Sequence, residues 1–223
     1  MKARATTIEI DDANRVSALL LVPPQPRAAY LFAHGAGAGM AHVFMASAAL
    51  GLAERAIATL RFQFPYMERG SKRPDPPALA QSAVRAAAAH AARALPDTPL
   101  FAGGKSFGGR MTSQAQAADP LPGVRGLAFF GFPLHPAGQP SDMRGKHLAD
   151  VRIPMLFLQG TRDALADRQL LEKQVARLGE RATLVLVEDA DHSFHVPAKS
   201  GRKDPEVLAQ LLDDFAAWVA RLR

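Results

Sequence analysis

Residues 104–108 read Gly-Lys-Ser-Phe-Gly, with further glycines at 103 and 109. A serine framed this way fits G-x-S-x-G, the pattern of a nucleophile elbow. Such an elbow is a tight strand-to-helix turn that lifts a serine hydroxyl to the top of a sheet, where neighbouring backbone leaves no room for side chains at the glycines. The setting agrees, with the apolar strand Leu100 to Gly103 before Ser106 and the helical stretch Phe107 to Ala117 after it.

A serine hydroxyl is a weak nucleophile at neutral pH and needs a base within hydrogen-bond reach, itself oriented by an acid. For a serine at such an elbow, the partners follow in the order acid, then histidine. Four histidines come after Ser106: His135, His147, His192 and His195. His192 sits directly after the apolar run 183–188, at a strand end, where parallel-sheet sites gather. His195, three residues on, is the alternative base; His135 precedes the expected acid and fits the order badly. The acid is expected just past the preceding strand, which ends Gln159-Gly160-Thr161-Arg162-Asp163 and selects Asp163. The competing role for Asp163 is a helix N-cap, which aspartate favours. Asp167 reads as a turn into the next helix, and Asp191 is too close in sequence to reach its neighbour's ring nitrogen.

An acyl-transfer intermediate needs backbone N–H donors for its oxyanion. One is expected from Phe107, the residue after the serine. The other is expected from the loop His34-Gly35-Ala36-Gly37-Ala38-Gly39, with Ala36 as the donor. That loop also resembles half of a dinucleotide fingerprint, but Met40 and His42 stand where the last glycine would fall. Gly104-Lys105-Ser106 could likewise end a phosphate-binding loop, but its first glycine would fall at Pro99. His192 and His195 lack a third metal ligand at suitable spacing. No metal and no organic cofactor are expected.

The elements that must position these residues follow from apolar patterning. Thr6 to Ile10 and Val16 to Val22 read as a hairpin. Strands are expected at Ala28 to Ala33, Ile57 to Phe62, Leu100 to Gly103, Val124 to Phe130, Pro154 to Gln159 and Thr183 to Glu188. Helices are expected at Ala41 to Arg55, Ala78 to Leu95, Phe107 to Ala117, Leu165 to Leu178 and Pro205 to Leu222, the last with apolar residues near 3.6 spacing. Tyr66 to Pro77 reads as the one long irregular segment. Strand–helix alternation from residue 28 onward implies parallel pairing with helices on both faces, a three-layer α/β architecture. One domain over residues 1–223 is expected, and the connection from Phe130 to Pro154 is too short for a cap domain.

The 223 residues are 48% hydrophobic and 22% charged, a balance that excludes disordered and fibrous classes. The absence of cysteine excludes disulfides and a thiol nucleophile. The formal charge is +6, but the basic residues are scattered, Arg69 to Arg73 is the densest cluster, and nucleic acid is not expected as a partner. No apolar run reaches the roughly 18 residues of a membrane span. The first 15 residues lack a signal-peptide core, so a cytoplasmic location is expected.

Together these residues resemble the α/β-hydrolases over nearly the whole chain. At finer grain the chain resembles the branch typified by testis-expressed protein 30 and a related subunit of a chromatin acetyltransferase complex. The matching pieces are HGAG (34–37), LRFQFPYMERGSKRPDPP (60–77), GGKSFGGRM (103–111), GFPLHPAGQP (131–140), QGTRDAL (159–165) and DADHSF (189–194). The branch is similar to dienelactone-hydrolase-like proteins, with Ser106 where those typically carry cysteine. The resemblance implies Ser106 as nucleophile, Asp163 as acid, His192 as base, a mostly parallel sheet of about eight strands, and no cap domain. It places 61–73 over the site, with Arg61, Tyr66 and Arg73 as candidate substrate contacts, although an ion pair competes as the role of each arginine. The expected activity is hydrolysis of a small ester, thioester or related acyl compound. An open pocket favours compact or solvent-exposed acyl groups over long lipid chains. The alternative from another class is a non-catalytic interaction module on the same scaffold.

Overall fold

Ala28–Ala33 (β3) and Ile57–Phe62 (β4) are buried at every residue, as strands covered on both faces must be. They lie at the centre of an eight-stranded sheet in a computed structural model that describes residues 1–222. The remaining strands are Arg4–Glu9 (β1), Arg15–Leu21 (β2), Leu100–Lys105 (β5), Val124–Phe130 (β6), Met155–Gly160 (β7) and Ala182–Val187 (β8). The order across the sheet is β1-β2-β4-β3-β5-β6-β7-β8. The β1–β2 hairpin is antiparallel, and β2 is antiparallel to β4. From β4 to β8 every pairing is parallel.

Helices cover both faces, because alternate residues of the central strands feed two separate cores. Ala28, Tyr30 and Phe32 of β3 join Met45 and Leu52 of α1 (Val43–Glu54) and Phe215 and Trp218 of α6 (Asp204–Arg221). Ala29, Leu31 and Ala33 face the other way. They pack with α3 (Pro77–Ala94), α4 (Phe107–Ala118) and α5 (Arg168–Leu178). The three-layer arrangement is the one the alternation of elements implied. The β6–β7 connection, 131–154, holds only a short 3-10 helix, Met143–Asp150, and no inserted cap. No helix among the described residues is long and apolar enough to cross a membrane.

Three departures from the sequence expectation have physical causes. β5 runs two residues further than expected, through Gly104 to Lys105, because its glycines serve close packing and not a turn. A Cβ on Gly103 would fall 1.8 Å from the Ala128 carbonyl oxygen, and one on Gly104 2.3 Å from that of Ala33. The segment expected to be irregular opens with a single helical turn, Pro65–Glu68 (α2), started by a proline at its first position. α5 begins at Arg168 and not at Leu165. Asp167 caps it by accepting the Leu170 N–H at 3.0 Å, while Asp163 holds the Leu165 N–H at 2.8 Å in a separate turn.

Candidate active site

Ser106 joins β5 to α4 with φ 50° and ψ −117°, a left-handed conformation that costs a non-glycine residue about 1–3 kcal/mol. Four contacts hold it there. The Ser106 N–H donates to the Phe130 carbonyl at 3.2 Å, clamping the turn to β6. Gly104 and Gly108 lie against the end of β3, and a Cβ on Gly108 would stand 2.4 Å from the Ala33 oxygen. Gly109 is the third, its Cβ position 2.9 Å from the Gly104 oxygen. The elbow is therefore a packing consequence of small residues on three elements.

The Ser106 hydroxyl lies 2.8 Å from His192 Nε2, and His192 Nδ1 lies 2.6 Å from an Asp163 carboxylate oxygen. The Asp163 side chain is fully buried and that of His192 is 23% exposed. Asp163 stays in place because Gln159 Nε2 donates to it at 2.5 Å, while Gln159 Oε1 accepts the Phe132 N–H at 2.8 Å. The imidazole of His195 points elsewhere. It pairs with Asp204 at 2.8 Å on the surface, which raises its pKa through that hydrogen bond and the carboxylate charge. His135 is a staple, accepting the Asp167 N–H on Nε2 at 2.7 Å. Asp191 is also structural: its carboxylate accepts the Ser193 and His195 N–H groups and so folds the loop that carries His192.

Lys105, the unspecified residue before the serine, meets this loop from below. Its Nζ donates to the His192 carbonyl at 2.5 Å and sits 5.9 Å from the Phe44 ring centre and 5.2 Å from that of Phe194. Burial pushes its pKa down to about 8, opposed by the charges of Asp163 and Asp191. Lys105 drew notice in the sequence only as part of a possible phosphate-binding loop and Gln159 drew none, since each acts through a contact made only in the folded chain.

The Gly35–Gly39 loop faces Ser106 across the site. Neither the Ala36 nor the Phe107 N–H donates to another group among the described residues. The loop is braced from behind. Tyr66, buried, accepts the Gly37 N–H on its hydroxyl at 3.0 Å. His34, also buried, donates from Nδ1 to the Gly35 carbonyl at 2.7 Å and accepts the Phe64 N–H on Nε2 at 3.1 Å. Burial lowers the His34 pKa to about 4, so the ring is neutral at pH 7 and can play both parts. A cavity of about 380 Å³ opens over Ser106, lined by Ala36, Phe44, Lys105, Leu165 and His192 among others. Arg61, Tyr66 and Arg73 lie outside that lining. Arg61 is buried and donates to the Met40 carbonyl at 3.0 Å, so it braces the same loop, and Arg73 is exposed. The ion pair of this segment is Arg69 with Asp75, at 2.5 Å, and involves neither arginine singled out in the sequence. No cluster of three metal-ligating side chains occurs among the described residues.

A hydroxyl, an imidazole and a buried carboxylate in one hydrogen-bonded line, beside free amide N–H groups, is an arrangement suited to acyl transfer. Residues 26–220 match the alpha/beta hydrolase domain. The chain belongs to the alpha/beta hydrolase family. Among solved structures it is similar to dienelactone hydrolase from Anabaena variabilis, with 19% identity, a TM-score of 0.79, and 100% of this chain and 99% of that one covered. It is also similar to XC6422 from Xanthomonas campestris, described as an a/b serine hydrolase without lid, with 23% identity, a TM-score of 0.76, and coverage of 98% and 95%. A third likeness is to the esterase domain of a Rhodothermus marinus protein, with 19% identity, a TM-score of 0.75, and 99% of both chains covered. At these identities the likenesses establish the alpha/beta hydrolase fold.

Proposed function

We propose that this alpha/beta hydrolase cleaves an ester, thioester or related acyl bond through an acyl-enzyme on Ser106. The observation that carries the reading is the continuous line from the Ser106 hydroxyl to His192 and on to buried Asp163, at 2.8 and 2.6 Å. In the proposed cycle Ser106 Oγ attacks the acyl carbon as His192 Nε2 takes its proton. The Ala36 and Phe107 N–H groups donate to the oxyanion. His192 then returns the proton to the departing alcohol or thiol. Asp163 holds Nδ1 protonated and stabilises the imidazolium. Water, activated by the same imidazole, releases the acid and restores Ser106. Kinship with the testis-expressed protein 30 branch belongs to the same proposal and rests on the motifs at 34–37, 60–77, 103–111, 131–140, 159–165 and 189–194.

The test is steady-state hydrolysis of p-nitrophenyl acetate and acetylthiocholine by the native protein, Ser106→Ala and His192→Ala. Turnover of at least one compound, lost in both variants while their thermal unfolding is unchanged, is the expected result. Turnover that survives Ser106→Ala contradicts the assignment.

A further inference from the structure

A second cleft, of about 680 Å³, runs between α1 and α6 and shares His42, Phe44 and Ser193 with the cavity over Ser106. The rings of Phe44 and Phe194, stacked at 6.1 Å and 16°, lie along it near that shared wall. From there the groove descends beside α1 to Arg55, a path of about 16 Å at 1.5 Å per helical residue. Its walls include Leu50, Leu208 and Leu212. α1 and α6 approach closely at its floor, where a Cβ on Gly51 would meet Leu212 Cδ1 at 2.4 Å. Two apolar side chains of this strip face water: Val43 is 77% exposed and Leu50 46%. Of the charged groups at its ends, Glu54 is exposed and two others are already engaged. Arg55 is bound to Asp213 and to the Gly51 carbonyl, and Asp204 to His195.

We propose that this groove binds the apolar arm of the substrate, a straight acyl chain of octanoyl to dodecanoyl length, with its carbonyl over Ser106. The inference rests on the hydrolase reading for the carbonyl end alone. Three observations select this occupant. The groove adjoins the cavity that holds the Ser106–His192 pair, the two sharing His42, Phe44 and Ser193 in their linings. Its length along α1 exceeds what a compact acyl group would use. Its volume falls in the range of small-molecule clefts, whereas a protein partner buries about 800 Å² per side, more than a slot between two helices offers. A chain lying in this open slot keeps one side in water, so a lidless hydrolase can hold it without enclosing it.

The test has two arms. In the first, fluorescent NBD-dodecanoate is titrated, below its micellar concentration, into Ser106→Ala protein. The same variant is also made with Leu50→Asp or Ala209→Trp, both exposed helix positions lining the groove. Saturable binding, weakened about tenfold by each groove substitution, is expected. In the second arm kcat/KM is measured for p-nitrophenyl acetate, butyrate, octanoate and dodecanoate. The native protein should favour the longer chains, and the groove variants should lose about tenfold on dodecanoate while keeping acetate turnover. Absence of saturable probe binding overturns the proposal, as does an equal effect of the variants on acetate and dodecanoate. Probe binding with no Ser106-dependent turnover would instead retain the groove and refute the hydrolase reading.

Discussion

Replacing Lys105 with methionine should separate stability from activity. Methionine keeps most of the apolar stem and removes the donor and the charge. The fall of the ammonium pKa from 10.5 to about 8 means that the folded protein holds this charge at a net cost of about 3 kcal/mol, even with its contacts made. Methionine relieves that cost. It also removes the charge-assisted hydrogen bond to the part-buried His192 carbonyl, a loss of about 1–3 kcal/mol. The two nearly cancel, so Tm should move by no more than about 4 °C. Activity should not be spared. The donor fixes the backbone of the residue whose ring bridges Ser106 and Asp163, and a displacement of an ångström costs about 100-fold. The assay pairs calorimetry with kcat/KM for p-nitrophenyl acetate across pH. Lys105 is charged below about 8 and loses one proton above it; the neutral amine donates more weakly to the His192 carbonyl, so native activity should decline above that pH. The charged groups acting on it there are Asp163 and Asp191, and both hold the proton on. The variant should lack this alkaline limb. Unchanged kcat/KM, or a loss of activity matched by a Tm fall of more than about 10 °C, would refute the reasoning.

Asp163→Asn should leave the fold intact and lower kcat about 10⁴-fold, because an amide can donate to Nδ1 and favour the wrong imidazole tautomer; steady-state kinetics checks this. Gly103→Ala, at φ 150° and with a Cβ position 1.8 Å from the Ala128 oxygen, should cost at least about 3 kcal/mol in chemical denaturation, since backbone and not a flexible side chain must yield. Acid should destabilise the protein before its carboxylates titrate. Burial lowers His34 and His147 to about 4, so the unfolded chain binds their protons first as pH falls below about 6.5. Their contribution is intact above that pH and is lost progressively towards pH 4. Tm at pH 5 should therefore lie well below that at pH 7.

Much of the candidate site was legible because its residues carry local signatures. Ser106 sits in a glycine frame, and Asp163 and His192 each follow an apolar strand. The parts whose roles escaped notice have no local signature. Lys105 and Gln159 work through bonds to the His192 carbonyl and to Asp163, which lie 87 and 4 residues away in the chain. His34 was read as part of a glycine loop, yet its role comes from a Phe64 N–H across 30 residues. The end of β5 was missed for a related reason. Gly104 suggests a turn when read singly, whereas the neighbouring strand needs it within the sheet. The one-turn helix at Pro65–Glu68 and the 3-10 helix at Met143–Asp150 are too short to show a period. Arg61 and Tyr66 were placed near the site, but they support the loop behind it.

The most direct test of the central claim is covalent labelling with a fluorophosphonate, followed by intact-mass measurement and peptide mapping. An activated Ser106 predicts one adduct per chain, mapped to residue 106, absent in Ser106→Ala and strongly slowed in His192→Ala. A folded native protein that takes no label, or takes it at another residue, would contradict the account.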